Sequence, residues 1–129
     1  MALKVDIEKR DGGTCVVKLE GRLDTDTYLE CQQKIKPLFT ASTKVLMFDM
    51  SNLSYISSAG VSTIFSAKKS IEANKGTFMM VNLQPQIKKV FEIIKALPDE
   101  SIFGSIEEAD NYLDAMQRKE IEKEKGETS

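Results

Sequence analysis

The chain contains no histidine and only two cysteines. The missing imidazole excludes Ser-His-Asp and Cys-His catalysis as these are usually built. It also removes the commonest zinc ligand and the usual general base near neutral pH. Cys15 and Cys31 stand far apart without CxxC spacing. We therefore expect two partly buried thiols in a reducing cytoplasm, rather than a disulfide or a metal site.

The glycine-rich motifs that hold phosphates are also missing. The sequence has neither GxGxxG nor GxxxxGK followed by Ser or Thr, so tight dinucleotide or triphosphate binding has no support. The nucleophile elbow G-x-S-x-G is not met at Ser58, because Ile56 occupies its first glycine position. The sequence therefore predicts no catalytic residue, no cofactor and no enzyme.

Charge and hydropathy exclude two further classes of partner. Eighteen basic and twenty acidic residues give a net charge of −2, and no basic stripe or polybasic segment indicates a nucleic acid or a membrane surface. No apolar run is long enough to cross a bilayer, and the first residues lack the apolar core of a signal peptide. We expect one cytoplasmic domain that is monomeric when free, since no surplus apolar stripe is evident.

Strand and helix signals alternate along the 129 residues. The predicted strands are Leu3–Lys9, Cys15–Gly21 after a turn at residues 11–14, Val45–Met50, Phe78–Val81 and a short segment at Ile102–Phe103. The continuous apolar run from Val45 is typical of a strand covered on both faces. The fold class is therefore α/β, with a single mixed β-sheet of four to five strands packed against about four helices. The N-terminal hairpin is antiparallel, and the second half is parallel with right-handed crossovers.

Four helices are predicted from caps and from apolar spacing. They begin after Asp24 or Thr25, near Ser58, at Gln84–Pro85, and at a capping box that opens with Ser105. The inner face of the first comprises Tyr28, Leu29, Gln32, Ile35 and Leu38, and that of the third extends to Leu97. The apolar stripe of the fourth ends near Arg118. Residues 118–129 are then a solvated extension that frays, or alternatively a partner-binding tail.

Ser58 stands where a buried strand passes into a helix. Open α/β sheets bind ligands outside the carboxyl ends of their strands, and a helix N-terminus suits an anion such as a phosphate. The simplest interpretation is a helix N-cap worth about 1 kcal/mol. The small residues from Ser57 to Gly60 would also let another molecule approach closely. Ser58, Ser62 and Ser66 form a polar stripe, which is either a docking face or plain helix surface.

Three segments resemble a known family. Residues 48–51 (Phe-Asp-Met-Ser) and 53–61 (Leu-Ser-Tyr-Ile-Ser-Ser-Ala-Gly-Val) are similar to the signature of STAS domains, specifically of bacterial anti-sigma-factor antagonists. That signature is an apolar strand, Asp-Leu-Ser, a short loop, and Asp-Ser-Ser/Ala/Thr-Gly-Leu. Residues 20–24 (Glu-Gly-Arg-Leu-Asp) resemble the family's Gly-Glu-Leu-Asp. The order of predicted elements agrees from about Leu3 to Met116, so we place the STAS domain at residues 1–117 and a charged tail at 118–129.

The resemblance implies roles for single residues. Ser58 matches the serine that the family phosphorylates, and Ser57 stands where the family usually has aspartate. Ser57 is therefore the second choice for the modified serine, and the lost charge beside the acceptor bears on kinase recognition. Asp24 matches an acidic residue that lies near the serine in this fold. The partner-binding residues implied are Asp24, Thr25, Ser57, Ala59, Gly60, Val61 and Ser62.

The resemblance also implies a mechanism, which is partner switching. The unmodified protein would bind an anti-sigma factor that is also a serine kinase, and phosphorylation of Ser58 would release it. A metal-dependent serine phosphatase would reset the switch. Two alternatives stay open: a non-switching STAS scaffold or interaction subunit of a signalling or lipid-transport complex, which the Ser57 departure favours, and an enzyme or nucleotide binder, which the missing motifs argue against.

Overall fold

The computed structural model describes residues 3–96 and 106–128, without the side chains of 95, 96, 106–110 and 124–128. The predicted strand at Ile102–Phe103, the inward Leu97 and the capping box at Ser105 lie outside these residues. The strands are β1 (Lys4–Arg10), β2 (Thr14–Leu23), β3 (Val45–Ile56) and β4 (Thr77–Val81). The helices are α1 (Tyr28–Ile35), followed by a 3-10 turn (Lys36–Leu38), α2 (Ser58–Ala73), α3 (Pro85–Ala96) and α4 (Ile106–Thr128).

The described strands form one mixed sheet in the order β1-β2-β3-β4. β1 pairs antiparallel with β2, while β3 runs parallel to both β2 and β4. The register places Ile7, Val17, Phe48 and Met80 in one row across the sheet. The predicted mixed sheet, with its antiparallel N-terminal hairpin and parallel second half, is confirmed.

The helices cover one face of this sheet. In β3, Leu46, Phe48 and Met50 are fully buried, whereas the intervening Val45 and Met47 are half-exposed. The prediction that this strand is covered on both faces is therefore wrong, because its outer face meets solvent. Two aromatic contacts lie within the layers, with ring centroids 5.6 Å apart for Phe48–Phe78 between β3 and β4 and 6.0 Å apart for Phe65–Phe91 between α2 and α3.

Both cysteines are free and lie in the core. They are more completely buried than predicted, at 5% exposed for Cys15 and 0% for Cys31. Burial raises the pKa of the Cys31 thiol to about 12, because the charged thiolate is desolvated there. Since the thiolate is the nucleophile and the metal ligand, Cys31 is unreactive near neutral pH.

Leu29 is not on the inner face of α1, so that prediction is wrong. The buried positions of this helix are Cys31 and Ile35, and Leu29 is 56% exposed. Leu29 lies two residues before Cys31, which places it about 200° around the helix from the buried stripe at 3.6 residues per turn. Cys31, which is smaller and less conspicuous than Leu29 as an apolar residue, defines the inner face of α1 together with Ile35.

The helix α4 continues through the charged segment and ends at Thr128. An exposed i,i+4 pair, Arg118 Nη2–Asp114 Oδ2 at 2.6 Å, lies at the start of that segment. The division of the chain at residue 117 remains a prediction. Of the helices that the structure describes, none is both long enough and apolar enough to span a lipid bilayer.

Candidate functional site

The carboxyl end of β3 passes into α2 through one extended residue, Ser57. Ser57 has φ −95° and ψ 177°, and its Oγ accepts a hydrogen bond from Gly60 N at 3.3 Å. Its own N–H donates to Leu23 O at 2.9 Å, and the side chain is buried, at 3% exposed. The simplest interpretation of Ser58 as the N-cap is therefore wrong by one residue, since both serines suit a cap but only Ser57 occupies it.

Replacing Ser57 with alanine is expected to lower the free energy of unfolding by about 1 kcal/mol, because the Gly60 N–H loses its side-chain acceptor. Urea unfolding followed by circular dichroism measures this change. Ser62→Ala is the matched control, since Ser62 is exposed on the same helix, and it should stay within about 0.5 kcal/mol of the wild type. Equal stability of the two variants would contradict the assignment of Ser57 as the cap.

Ser58 is the first residue of the 16-residue helix α2 and is half-buried. The first four N–H groups of a helix have no partner within it, and they carry a partial positive charge. The first turn of α2 contains no acidic residue. The surroundings of Ser58 within α2 are thus electrostatically suited to a negatively charged group on this side chain.

Gly60 lets α2 approach the end of β2 closely. A Cβ at this position would lie 2.6 Å from Leu23 O and 2.9 Å from Leu23 Cγ. Of the predicted partner-binding residues at the start of α2 and its cap, Ser57, Gly60 and Val61 are buried, Ala59 is half-buried and Ser62 is exposed. In this conformation the buried ones support the surface rather than form it, and their role in partner binding stays a prediction.

The turn between β2 and α1 carries the other predicted residues, Asp24 and Thr25. Asp24 Oδ1 accepts a hydrogen bond from Asp26 N at 3.0 Å. The Thr27 hydroxyl lies 3.2 Å from the same oxygen and donates to Arg22 O at 2.7 Å. Thr27 is the N-cap position of α1 and has no side-chain cap bond, and Thr25 is exposed. The prediction that Asp24 or Thr25 caps α1 is therefore wrong, because the Asp24 carboxylate folds the turn that precedes the helix.

The turn between β2 and α1 lies beside the serine pair, which is Ser57 and Ser58. Leu23, which precedes Asp24, accepts the Ser57 N–H and pairs in register with Ile56. The structure therefore brings Asp24 to the same edge of the sheet as Ser57. Arg22 stacks on Tyr55 with its Cζ 3.9 Å from the ring centroid, and its Nε lies 3.4 Å from Asp24 Oδ2. Sequence reasoning missed this Arg22 contact, because only the register of β2 and β3 reveals it.

The Asp-x-Ser part of the motif has a structural role. Asp49 Oδ1 accepts hydrogen bonds from Ser51 N at 3.1 Å and from Asn82 Nδ2 at 3.3 Å. The bond from the Ser51 backbone is the largest cause that holds the pKa of the Asp49 carboxyl below its ordinary value. Asp49 is the last residue of β3 that pairs with β4. The carboxylate therefore ties the end of that pairing to the loop after β4.

Beyond Asp49, three glutamine amides cover the edge of β3 that β4 no longer pairs. Gln84 Nε2 donates to Ser51 O at 2.8 Å, and Gln86 Nε2 donates to Ser54 O at 3.1 Å. Gln117 bonds to both backbone groups of Ile56. Sequence reasoning missed these residues. The signal for Gln117 was its place four residues after Leu113, on the apolar face of α4.

The comparisons with known proteins show the family of this chain. The STAS domain model matches residues 4–109, and the chain belongs to the STAS family. The anti-sigma F factor antagonist of Lysinibacillus sphaericus is 28% identical over 80 residues, which cover 61% of this chain and 68% of that protein.

Three solved structures show the same fold. The anti-sigma factor antagonist SpoIIAA in its unphosphorylated form matches with a TM-score of 0.61 and 24% identity, over 70% of this chain and 83% of that one. SpoIIAA from Bacillus in its phosphorylated form gives the same values. The murine anion transporter Slc26a9 matches with a TM-score of 0.58 and 17% identity, over 71% of this chain and 18% of that one.

Proposed function

We propose that this protein is an anti-sigma-factor antagonist that acts by partner switching through Ser58. The observation that carries the proposal is the position of Ser58 as the first residue of α2, directly after a buried cap. Support comes from the relatives, since the L. sphaericus protein is an anti-sigma F factor antagonist and SpoIIAA has phosphorylated and unphosphorylated forms.

The structure favours Ser58 over Ser57 as the modified residue. Ser57 is only 3% exposed, and its hydroxyl oxygen accepts the hydrogen bond from Gly60 N. A phosphate on Ser57 would have to leave the core and would change the cap of α2. Ser58 is half-buried and is not the cap, so a phosphate there keeps the helix start intact. Ser57 remains the second choice.

The partner in this proposal is an anti-sigma factor with serine kinase activity, and the protein is its ligand and its substrate rather than an enzyme. The kinase transfers the γ-phosphoryl group of its own ATP to Ser58 Oγ, releases ADP and dissociates. A metal-dependent serine phosphatase hydrolyses the phosphoserine and restores the binding form. The surface offered comprises Asp24 and Thr25 with Ala59 and Ser62, supported from below by Ser57, Gly60 and Val61.

The first experiment is to recover the protein from its native cells and to map phosphate by peptide mass spectrometry, beside a Ser58→Ala copy. We expect phosphate on Ser58 of the wild type and none on the matching peptide of the copy. Phosphate on Ser57 instead would keep the mechanism and move the site. Absence of phosphate under every growth condition tested would contradict the switch.

A non-switching STAS scaffold is the second candidate. Two observations favour it: Ser57 stands where the family usually has aspartate, and a transporter, Slc26a9, shares the fold. A Ser58→Asp variant discriminates between the candidates. Under the switch it loses the partner that the wild type binds, and under the scaffold it binds every partner as the wild type does.

A further inference from the structure

A buried glutamine of α4 binds the residue that precedes the serine pair. Gln117 is 1% exposed. Its Oε1 accepts a hydrogen bond from Ile56 N at 3.0 Å, and its Nε2 donates to Ile56 O at 2.7 Å. The same Nε2 donates to Leu113 O at 3.1 Å, one turn back in α4. One side chain thus satisfies both the N–H and the carbonyl of Ile56.

The serine pair is held from two sides as a result. On the β2 side, Ser57 N donates to Leu23 O at 2.9 Å. On the α4 side, Gln117 holds the Ile56 N–H and carbonyl. A buried N–H or carbonyl that loses its partner is costly, so the orientation of the Ile56–Ser57 peptide is tied to Gln117. The direction of the Ser57 cap and of the first residue of α2 follows from that peptide.

We propose that Gln117 is a positioning residue for Ser58, which sets how Ser58 is presented to its kinase by holding the peptide between Ile56 and Ser57. This inference rests on the function proposed above for Ser58. It also makes α4 part of the functional site, although Gln117 lies 61 positions after Ile56 in the chain.

Hydrogen exchange of the Gly60 amide tests the positioning without any partner. Gly60 N donates to Ser57 Oγ, so its protection reports whether the cap keeps its geometry. The variant is Gln117→Met, which keeps an unbranched side chain and loses the amide. Gln86→Met is the matched control, because Gln86 is also a buried glutamine that donates to a β3 carbonyl, Ser54 O.

We expect the protection of the Gly60 amide to fall at least tenfold in Gln117→Met and less than threefold in Gln86→Met. Equal protection in both variants would overturn the proposal, even where the Ile56 amide itself exchanges faster. If Gln117→Met does not fold, Gln117→Ala leaves room for water at the Ile56 N–H and carbonyl and holds neither group in place. The same tenfold criterion then applies to Gly60.

Phosphate occupancy of Ser58 in native cells adds a functional readout. Occupancy in Gln117→Met should fall at least fivefold below that of Gln86→Met, when both are expressed in the native cells and compared at equal folded protein. Equal occupancy in the two variants would overturn the role of Gln117 in presentation. A wild type without phosphate contradicts the proposed function instead, and the Gly60 exchange then still decides whether Gln117 positions the cap.

Discussion

An alanine at position 60 is expected to lower the free energy of unfolding by about 2 kcal/mol, although alanine is the better helix former. The added Cβ would meet Leu23 O at 2.6 Å and Ile56 Cγ1 at 2.8 Å. Leu23 O cannot move away freely, because it accepts the Ser57 N–H at 2.9 Å. Overpacking of this kind costs about 1–3 kcal/mol, and a lost backbone hydrogen bond about 1 kcal/mol more. The helix propensity of alanine over glycine returns only about 1 kcal/mol.

Urea unfolding at a constant m-value measures this loss. The control is a pair of variants at an exposed position of the same helix, Ser66→Ala and Ser66→Gly. At position 66 the alanine variant should be more stable than the glycine variant by about 1 kcal/mol. At position 60 we expect the reverse, with glycine more stable than alanine. A Gly60→Ala protein that gains stability as the Ser66 pair predicts would show that α2 does not approach Leu23 this closely.

The architecture could be predicted because the apolar periodicity and the turn residues agree with each other. The residues at 11–14 indicate a tight hairpin, and β1 and β2 pair antiparallel around them. The run at Val45 and the run at Phe78 are separated by a helical pattern, which favours parallel pairing, and the two strands pair in parallel. These signals are local, so a single sequence contains them.

The end of β3 could not be predicted, because its stabilising contacts are remote in sequence. After Met50 the polar residues Ser51, Asn52 and Ser54 favour a loop, yet the strand continues to Ile56. Pairing with β2 supports it on one side, and the glutamine amides of α3, α4 and the loop after β4 support the other. The apolar periodicity of the sequence contains no information about hydrogen bonds between such distant residues.

The cap of α2 could be predicted to within one residue. The strand-to-helix junction was correct, but Ser57 and Ser58 are equally good caps by residue type, and only the Ser57 Oγ–Gly60 N contact separates them. The contact of Gln117 with the site was missed because, in the sequence, a glutamine beside the apolar face of α4 is indistinguishable from a polar residue at the border of that face. Its three hydrogen bonds appear only once α4 is placed against Ile56.

Phosphorylation of Ser58 is expected to weaken binding of the anti-sigma factor at least a hundredfold while leaving the fold nearly unchanged. A phosphate adds about −1.5 to −2 charges at pH 7. At the N-terminus of α2 this charge is favourable by about 0.3–1 kcal/mol. In a dry contact with a partner the same charge costs several kcal/mol. Since 1.4 kcal/mol corresponds to about tenfold in affinity, the effect on the interface exceeds the effect on the fold.

The Ser58→Ala copy cannot accept a phosphate at position 58, so it is expected to retain the partner and to allow its purification. Calorimetric titration with that partner measures the affinity, and thermal unfolding by circular dichroism measures the fold. The phosphorylated protein should melt within a few degrees of the unmodified one. Ser66→Asp is the control, since it adds a negative charge on an exposed position two turns along the same helix. It should change the affinity less than threefold.

The affinity of the phosphorylated protein, its thermal unfolding and the affinity of Ser66→Asp together identify the cause of the weaker binding. They separate a local effect at the interface from two other causes. If Ser66→Asp weakens binding as much as phosphate on Ser58, then overall charge on α2 decides the affinity and position 58 has no special role. If phosphorylation changes the circular dichroism spectrum or the melting strongly, then the switch acts by altering the fold. Release at an unchanged fold, with the control still bound, is the outcome that the helix-start position of Ser58 predicts, because the helix tolerates the phosphate and a dry interface does not.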